Sequence, residues 1–324
     1  MTTWIFRRLI QAIFVVLAMT VIVFIGVNVI GDPVEILISP QADQAERARA
    51  VIALGLDRPL WEQYGRFLWN AVQGDLGKSF VFNEPALRLI AQRMPATMEL
   101  AVTAVLLSIV LGIPLGLYAG LKPNSFAGRS IMAGSIFGFS LPSFWVGLML
   151  IMVFAVQLGW LPSTGRGQTA TLFGVQWSFL TRDGLAHMLM PALNLSLGNI
   201  ALVLRLTRAG VRENMPMDYV KFARAKGLSP VRVVFVHVMK NITIPIVTVI
   251  GLEFGSTVAF AVVTESVFAW PGMGKLIIDS INVLDRPVIV AYLMMIVFLF
   301  ITINLLVDLL YTVLDPRVRL ESRE

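Results

Sequence analysis

Phosphate chemistry has the most stringent local signature, and the chain approaches it once. A phosphate-binding loop needs G-x-x-x-x-G-K-[ST], whose backbone amides cradle the phosphates. The stretch "VQGDLGKS", residues 72–79, ends in Gly77-Lys78-Ser79 but opens on Val72 where glycine is required. His187 and His237 stand far apart and there is no cysteine. A zinc site wants three or four convergent ligands, so none is expected, nor is a disulfide. No Ser-His-Asp set or paired carboxylates occur at useful spacing. The expected catalytic, cofactor-binding and metal-ligating residues are therefore none.

One carboxylate is out of place. Glu253, in "VIGLEFGSTVAF", falls near the middle of an apolar run, beside Gly251, Gly255, Ser256 and Thr257. Carboxylates at such positions are costly and functional by default. Glu253 either lines a translocation pathway and meets a cationic or amino-bearing substrate, or is a carboxyl hydrogen-bonded between helices. Asn194, Ser196 and Asn199 follow Pro191 in another apolar run. A proline-loosened, amide-bearing helix suits a pathway wall, and interhelical hydrogen bonding suits it equally. Glu99 and Glu265 lie near the ends of their runs, where gating or packing is expected.

The elements that must hold these residues are membrane spans. The chain has 324 residues, of which 57% are hydrophobic and 14% charged; its mean hydropathy is +0.79. A soluble domain would carry roughly 25% charge. The deficit lies in long charge-free runs, and six spans are expected, at 9–31, 97–121, 130–156, 185–204, 244–268 and 288–312. Each is about the 20 residues that cross a hydrocarbon core of about 30 Å. The first has Arg7 and Arg8 before it but is too long for a signal sequence, and reads as a retained anchor. The net charge of +6 sits beside apolar runs, where it sets orientation, so nucleic acid is not an expected partner. With the N-terminus inside, inner segments hold fifteen Lys and Arg and the two short outer loops hold four. Both termini are thus expected on the cytoplasmic side of a multi-pass membrane protein. The long segment 32–96 reads as a helical extracytoplasmic insert, with helices in "QADQAERARAVIALG" (closed by Gly55), "RPLWEQYGRFLWNAV" and "NEPALRLIAQRM". These lie on the outer bilayer face, dock on a partner, or simply pack over the mouth of the protein. The expected division is 1–31, 32–96, 97–312 and a cytoplasmic tail, 313–324.

The most distinctive stretch is "MDYVKFARAKGLSPVRVVFVHVMKN", residues 217–241, within a cytoplasmic loop of about 205–243. Asp218 opens a helix, Gly227 ends it, and Ser229-Pro230 starts another. A loop of this length with its own helices usually has a task. A short helix with an apolar and a basic face fits another protein's groove.

This stretch resembles the cytoplasmic coupling loop of binding-protein-dependent ABC importers, in the version of the dipeptide, oligopeptide and nickel permease family. "LGLDRPLWEQYGRFLWNAVQGDLGKSF", "RMPATMELAVTAVLLSIVLGIPLG", "ESVFAWPGMGKL" and "DLLYTVLDPRVR" are similar to that family in the same order, and the resemblance covers nearly the whole chain. The long outer insert resembles the first of two sister permeases. Where the general motif has Glu-Ala-Ala, this chain has Lys221-Phe222-Ala223, and Pro245 lies further on than in that motif.

The resemblance implies an all-α integral membrane protein with the type I ABC importer permease fold. It implies a sister permease, two ATPase subunits that hold ATP and Mg, an extracytoplasmic binding protein, and the bacterial cytoplasmic membrane. Asp218, Tyr219, Phe222, Ala223, Arg224, Lys226, Gly227 and Pro230 would couple to an ATPase. Of these, Tyr219, Phe222 and Ala223 fill its groove, and Gly227 and Pro230 set the bend. Glu253, Ser256, Asn194 and Asn199 would line the pathway, and Glu265, Trp270, Pro271 and Gly272 the outer gate. Short peptides are the expected cargo, with nickel complexes and oligosaccharides open. An ion-driven secondary transporter would instead show repeats and more midplane charge, and a membrane-embedded enzyme a convergent catalytic set.

Overall fold

The computed structural model describes residues 2–29, 43–54 and 57–314. Gly55 and the tail from 315 onward, for which a helix cap and a cytoplasmic end are expected, lie outside them. Helix α1 is Thr2–Val29, α2 is Gln44–Leu54, α3 is Leu60–Val72 and α4 is Ala86–Leu121. The insert's third helix and the second span are expected as separate pieces but form one helix, α4, which passes through Pro95 without a break. Its start is near Pro85, whose carbonyl accepts from the N–H groups of Arg88 and Leu89.

The expected third span is not one straight helix. It divides into α5, Phe126–Ser140, and α6, Ser143–Gln157, which meet at 105°. Ser125 caps α5 by accepting from the N–H of Gly128. The break is Leu141-Pro142. Leu141 is extended (φ −82°, ψ 137°), as a residue before proline prefers, and Pro142 has no N–H to continue the ladder. A hairpin follows, with β1 Ala170–Leu172 paired antiparallel to β2 Val175–Trp177. Phe173 and Gly174 turn it, both at positive φ (53° and 76°), which is what a tight two-residue turn requires. Helix α7 spans Arg182–Asn214, with Pro191 inside it and Thr181 as its cap. Helix α8 is Asp218–Ala225. Helix α9, Pro230–Val267, contains a π-helical stretch, Val233–Val238. Helices α10, Met273–Asn282, and α11, Arg286–Leu314, complete the order.

Among the described residues, four helices are long and apolar enough to cross a membrane, and α5 with α6 adds a fifth if they form one span. Within α1 the apolar stretch is Ile10–Gly26. The described helices therefore give four spans, or five with the bent pair, against the expected six; the apolar stretch of α1 is shorter than the others.

The chain divides into two compact units, Met1–Pro95 with Gly272–Thr302, and Ala96–Pro271 with Ile303–Glu324. In the first, the hydroxyl of Ser79 donates to buried Asp285 at 2.5 Å, and the N–H of Phe80 donates to the same carboxylate. In the second, three glycines four apart on α4 admit α7 at close range. A Cβ at Gly112 would lie 2.9 Å from Val203 Cβ, one at Gly116 2.6 Å from the Leu204 carbonyl oxygen, and one at Gly120 2.8 Å from Val211 Cβ. Small residues at this spacing let membrane helices approach backbone to backbone.

Candidate coupling surface and translocation pathway

One end of the second unit is built on a cluster of Val211, Val220, Ala223, Val233, Val238 and Ile242 from α7, α8 and α9. Helix α8 is held against it by residues one turn apart. Val220 and Ala223 point inward, and the hydroxyl of Tyr219 donates to Asn214 Oδ1 at 2.7 Å. Of the three side chains expected to fill a partner's groove, Ala223 is thus buried in its own chain and Tyr219 is tied to α7. Phe222 remains, 62% exposed, with the Lys226 ammonium 4.5 Å from its ring centre. The same element exposes Arg224, and Asp218 forms an exposed ion pair with Lys221.

The bend is made as its residues dictate. Gly227 has φ +78°, the left-handed region glycine enters at little cost. Its N–H donates to the Arg224 carbonyl. Ser229 then caps α9 by accepting from the N–H of Arg232, and Pro230 takes the first helical position. Val231, Phe235 and Val236 are exposed beyond the bend. The presented surface is therefore Phe222, Val231 and Phe235 with Arg224, Lys226 and Arg232 among them: apolar, basic and rigidly footed.

Deeper in the second unit, α4, α7 and α9 line a small, partly open hollow formed by Val105, Ser108, Asn199, Leu202, Val203, Val249, Ile250 and Glu253. Asn199 donates to the Thr257 hydroxyl at 2.8 Å, which donates to the Glu253 carbonyl at 2.7 Å. Those bonds fix the backbone of Glu253 and leave its carboxyl, half-buried, without a hydrogen-bond partner among the described residues. Asn194 is engaged elsewhere, donating to Thr264, and Ser256 is half-buried outside the hollow lining. Of the four expected pathway residues, Glu253 and Asn199 share a cavity.

At the other end of this unit lies a buried polar cluster of which the sequence revealed only part. Glu99 accepts from Arg166 Nη2 at 2.8 Å and from the N–H groups of Ser178 and Phe179 at 2.6 and 2.8 Å. Arg166 also donates to the Ser178 hydroxyl and the Gln176 carbonyl, and stacks 5.7 Å from the ring centre of Trp270. Trp270 is wholly buried and donates to the Ala96 carbonyl. Glu265, also wholly buried, accepts from Thr97. Pro271 is half-buried, and Gly272 caps α10. This arrangement ties the hairpin to α4 and α9. Arg166 was the residue missed, and its signal was the flanking pair Gly165 and Gly167, both at positive φ. A Cβ at Gly167 would lie 2.5 Å from His187 Nδ1, so the turn that delivers Arg166 needs glycine there.

Residues 112–320 match the family described as binding-protein-dependent transport system inner membrane component, and residues 1–101 match its N-terminal membrane component. A di/tripeptide transport system permease protein of Pseudomonas aeruginosa is 39% identical over 335 residues, covering 98% of this chain and 99% of that one. A dipeptide transport system permease protein of Escherichia coli is 36% identical over 338 residues with the same coverage. A glutathione transport system permease protein of Escherichia coli is 37% identical over 320 residues, again covering 98% and 99%. The fold is similar to that of a chain from the inward-facing MetNI methionine ABC transporter, at a TM-score of 0.53 and 16% identity, over 70% of this chain and 96% of that one.

Proposed function

The chain belongs to the binding-protein-dependent transport system inner membrane component family, and on that premise we propose that it is the permease subunit of an ATP-driven importer of short peptides. The observation that supports the cargo is 39% identity, end to end, with a di/tripeptide permease. The glutathione permease relative points to the same class, a small peptide with a free amino group. The engine lies in other chains. A sister permease completes the pathway, two ATPase subunits hold ATP and Mg, and an extracytoplasmic binding protein delivers the peptide. The chain sits in the bacterial cytoplasmic membrane with both termini inside.

The geometry supports a mechanical role for α8. Its inner face is locked to the ends of α7 and α9 by the valine cluster, so it moves only with those helices. Phe222 enters the groove of an ATPase subunit, and Arg224 and Lys226 orient it there. When the ATPases close on ATP, α8 is displaced as a rigid foot. The tilt passes along α7 and α9, which between them line the hollow at Glu253. The cargo's ammonium group pairs with Glu253 during passage, with Asn199 beside it. The buried Glu99–Arg166–Trp270 cluster holds the outer end shut until the helices tilt.

The test is to tag this chain, extract it gently from native membranes, and identify its companions. A second permease and two ATPases should come with it. Vesicles holding that complex should take up dipeptides only with ATP and the binding protein. A chain that purifies alone from several mild detergents, and transports on an ion gradient, would overturn the proposal.

A further inference from the structure

Helix α3 shows three distinct faces, and among the described residues only the first is seen packed on another helix. Along the first lie Tyr64 and Phe67, which pack on α1. The Tyr64 hydroxyl is 2.8 Å from the Thr20 hydroxyl, and the Tyr64 and Phe67 rings lie 5.3 and 6.0 Å from that of Phe24. Along the second lie Glu62, Gln63, Arg66 and Asn70. Glu62 pairs with both Arg58 and Arg66, so this face is suited to water. Along the third lie Trp61, Gly65 and Val72, with Trp69 at its border with the polar face. Trp61 is 75%, Trp69 68% and Val72 82% exposed, and no atom lies within 4 Å of a Cβ built on Gly65.

Where α3 meets α1 decides what covers the third face. The last charge before the apolar run of α1 is Arg8. Thr20 and Phe24 stand twelve and sixteen residues beyond it, about 18 and 24 Å along a helix that rises 1.5 Å per residue. A hydrocarbon core is about 30 Å thick. With α1 read as a span that enters the hydrocarbon at Arg8, the contact with α3 falls inside the membrane, about 6 to 12 Å short of its far boundary by the same measures. Around that contact α1 is itself apolar and open, with Ile22 and Ile25 exposed. The third face of α3 is likewise apolar and open, and tryptophan is the side chain favoured at a membrane boundary.

We propose that α3 is an interfacial helix sunk beside α1 into one leaflet, with Trp61, Gly65 and Val72 against lipid acyl chains and Trp69 at the headgroup level. Its polar face looks to water. The occupant of the apolar face is thus membrane lipid. Such a helix, with an apolar and a charged face, lies in the interface plane with its apolar side about 5–10 Å deep. The leaflet is the extracytoplasmic one, which rests on the orientation proposed above. The depth does not.

The chain contains no cysteine, so single cysteines can report each face. Spin labels are attached at Trp61→Cys, Trp69→Cys, Val72→Cys, Arg66→Cys and Asn70→Cys in the full complex, in phosphatidylethanolamine–phosphatidylglycerol vesicles. The parent complex supplies the background from companion subunits. Oxygen concentrates in hydrocarbon, and a nickel chelate stays in water. Labels at 61 and 72 should relax several-fold more with oxygen than with the chelate, labels at 66 and 70 the reverse, and position 69 should fall between. Equal access of the chelate to 61 and 72 would place the face in water and overturn the inference. Protection of both from both agents would do the same, by showing a protein partner there. An impermeant thiol reagent applied to whole cells at Asn70→Cys reads the side separately. Its failure would overturn the orientation and leave the depth pattern standing.

Discussion

Glu99 does more than neutralise Arg166. It also satisfies two backbone N–H groups of the segment after the hairpin, so its loss strands three donors at once. Breaking a buried ion pair from one side costs about 3–5 kcal/mol. Glu99→Ala should therefore lower the thermal stability of the purified protein more than Arg166→Ala, which leaves two of the carboxylate's bonds in place. Equal losses would mean that charge pairing alone matters. Glu253 is the converse case, because among the described residues its carboxyl has no hydrogen-bond partner to lose. Glu253→Gln should slow vesicle uptake of dipeptides with a free amino terminus by about tenfold, as for a hydrogen bond to a charged group. N-acetylated dipeptides should be unaffected, and equal slowing of both would assign the residue to packing. The position of Glu253 was legible from one charge in an apolar run. Its half-buried orientation was not, since that depends on α4 and α7.

At the scale of elements, glycine and proline explain both the successes and the failures of local reading. The bend after α8 was legible because Gly227, Ser229 and Pro230 act within a few residues. Gly227→Pro removes the N–H that bonds Arg224 and forbids the positive φ. It should abolish ATP-dependent uptake while membrane insertion, read by fractionation, stays normal. The Leu141-Pro142 break was equally local, yet it lies in a charge-free run that hydropathy reads as continuous. Pro95, Pro191 and Pro245 interrupt nothing, so proline alone does not announce a break. The glycines at 112, 116 and 120 have meaning only against α7. Gly116→Leu would push a side chain into the Leu204 carbonyl, and such overpacking costs about 1–3 kcal/mol or more. It should lower the melting temperature in detergent, and an unchanged value would mean that α4 and α7 do not pack this closely.

At the scale of the whole molecule, orientation carries the functional proposal, because α8 must face the compartment that holds ATP. Two exposed positions test it. Phe173, at the hairpin turn, is 95% exposed, and Phe222 on α8 is 62% exposed. A cysteine introduced at 173 should react with an impermeant thiol reagent on intact cells. One at 222, which the ATPase groove would cover, should react only after permeabilisation and removal of the ATPase subunits. The reverse pattern would invert the topology and remove the coupling role from α8.

Composition and short-range pattern by themselves determined the apolar runs, the charge asymmetry, the helix-bend-helix of 217–241 and the isolation of Glu253. Each depends on residues within one or two helical turns, or on the cost of placing charge in lipid. Packing in three dimensions decided the rest. It merged the insert's last helix with the second span, and turned Ala223 and Tyr219 inward so that Phe222 alone of the three stands free. It brought Arg166 to Glu99 across 67 residues, and set Asn199 beside Glu253. These depend on which helix lies against which, and contacts between distant segments leave no periodicity in the sequence for local reading to find.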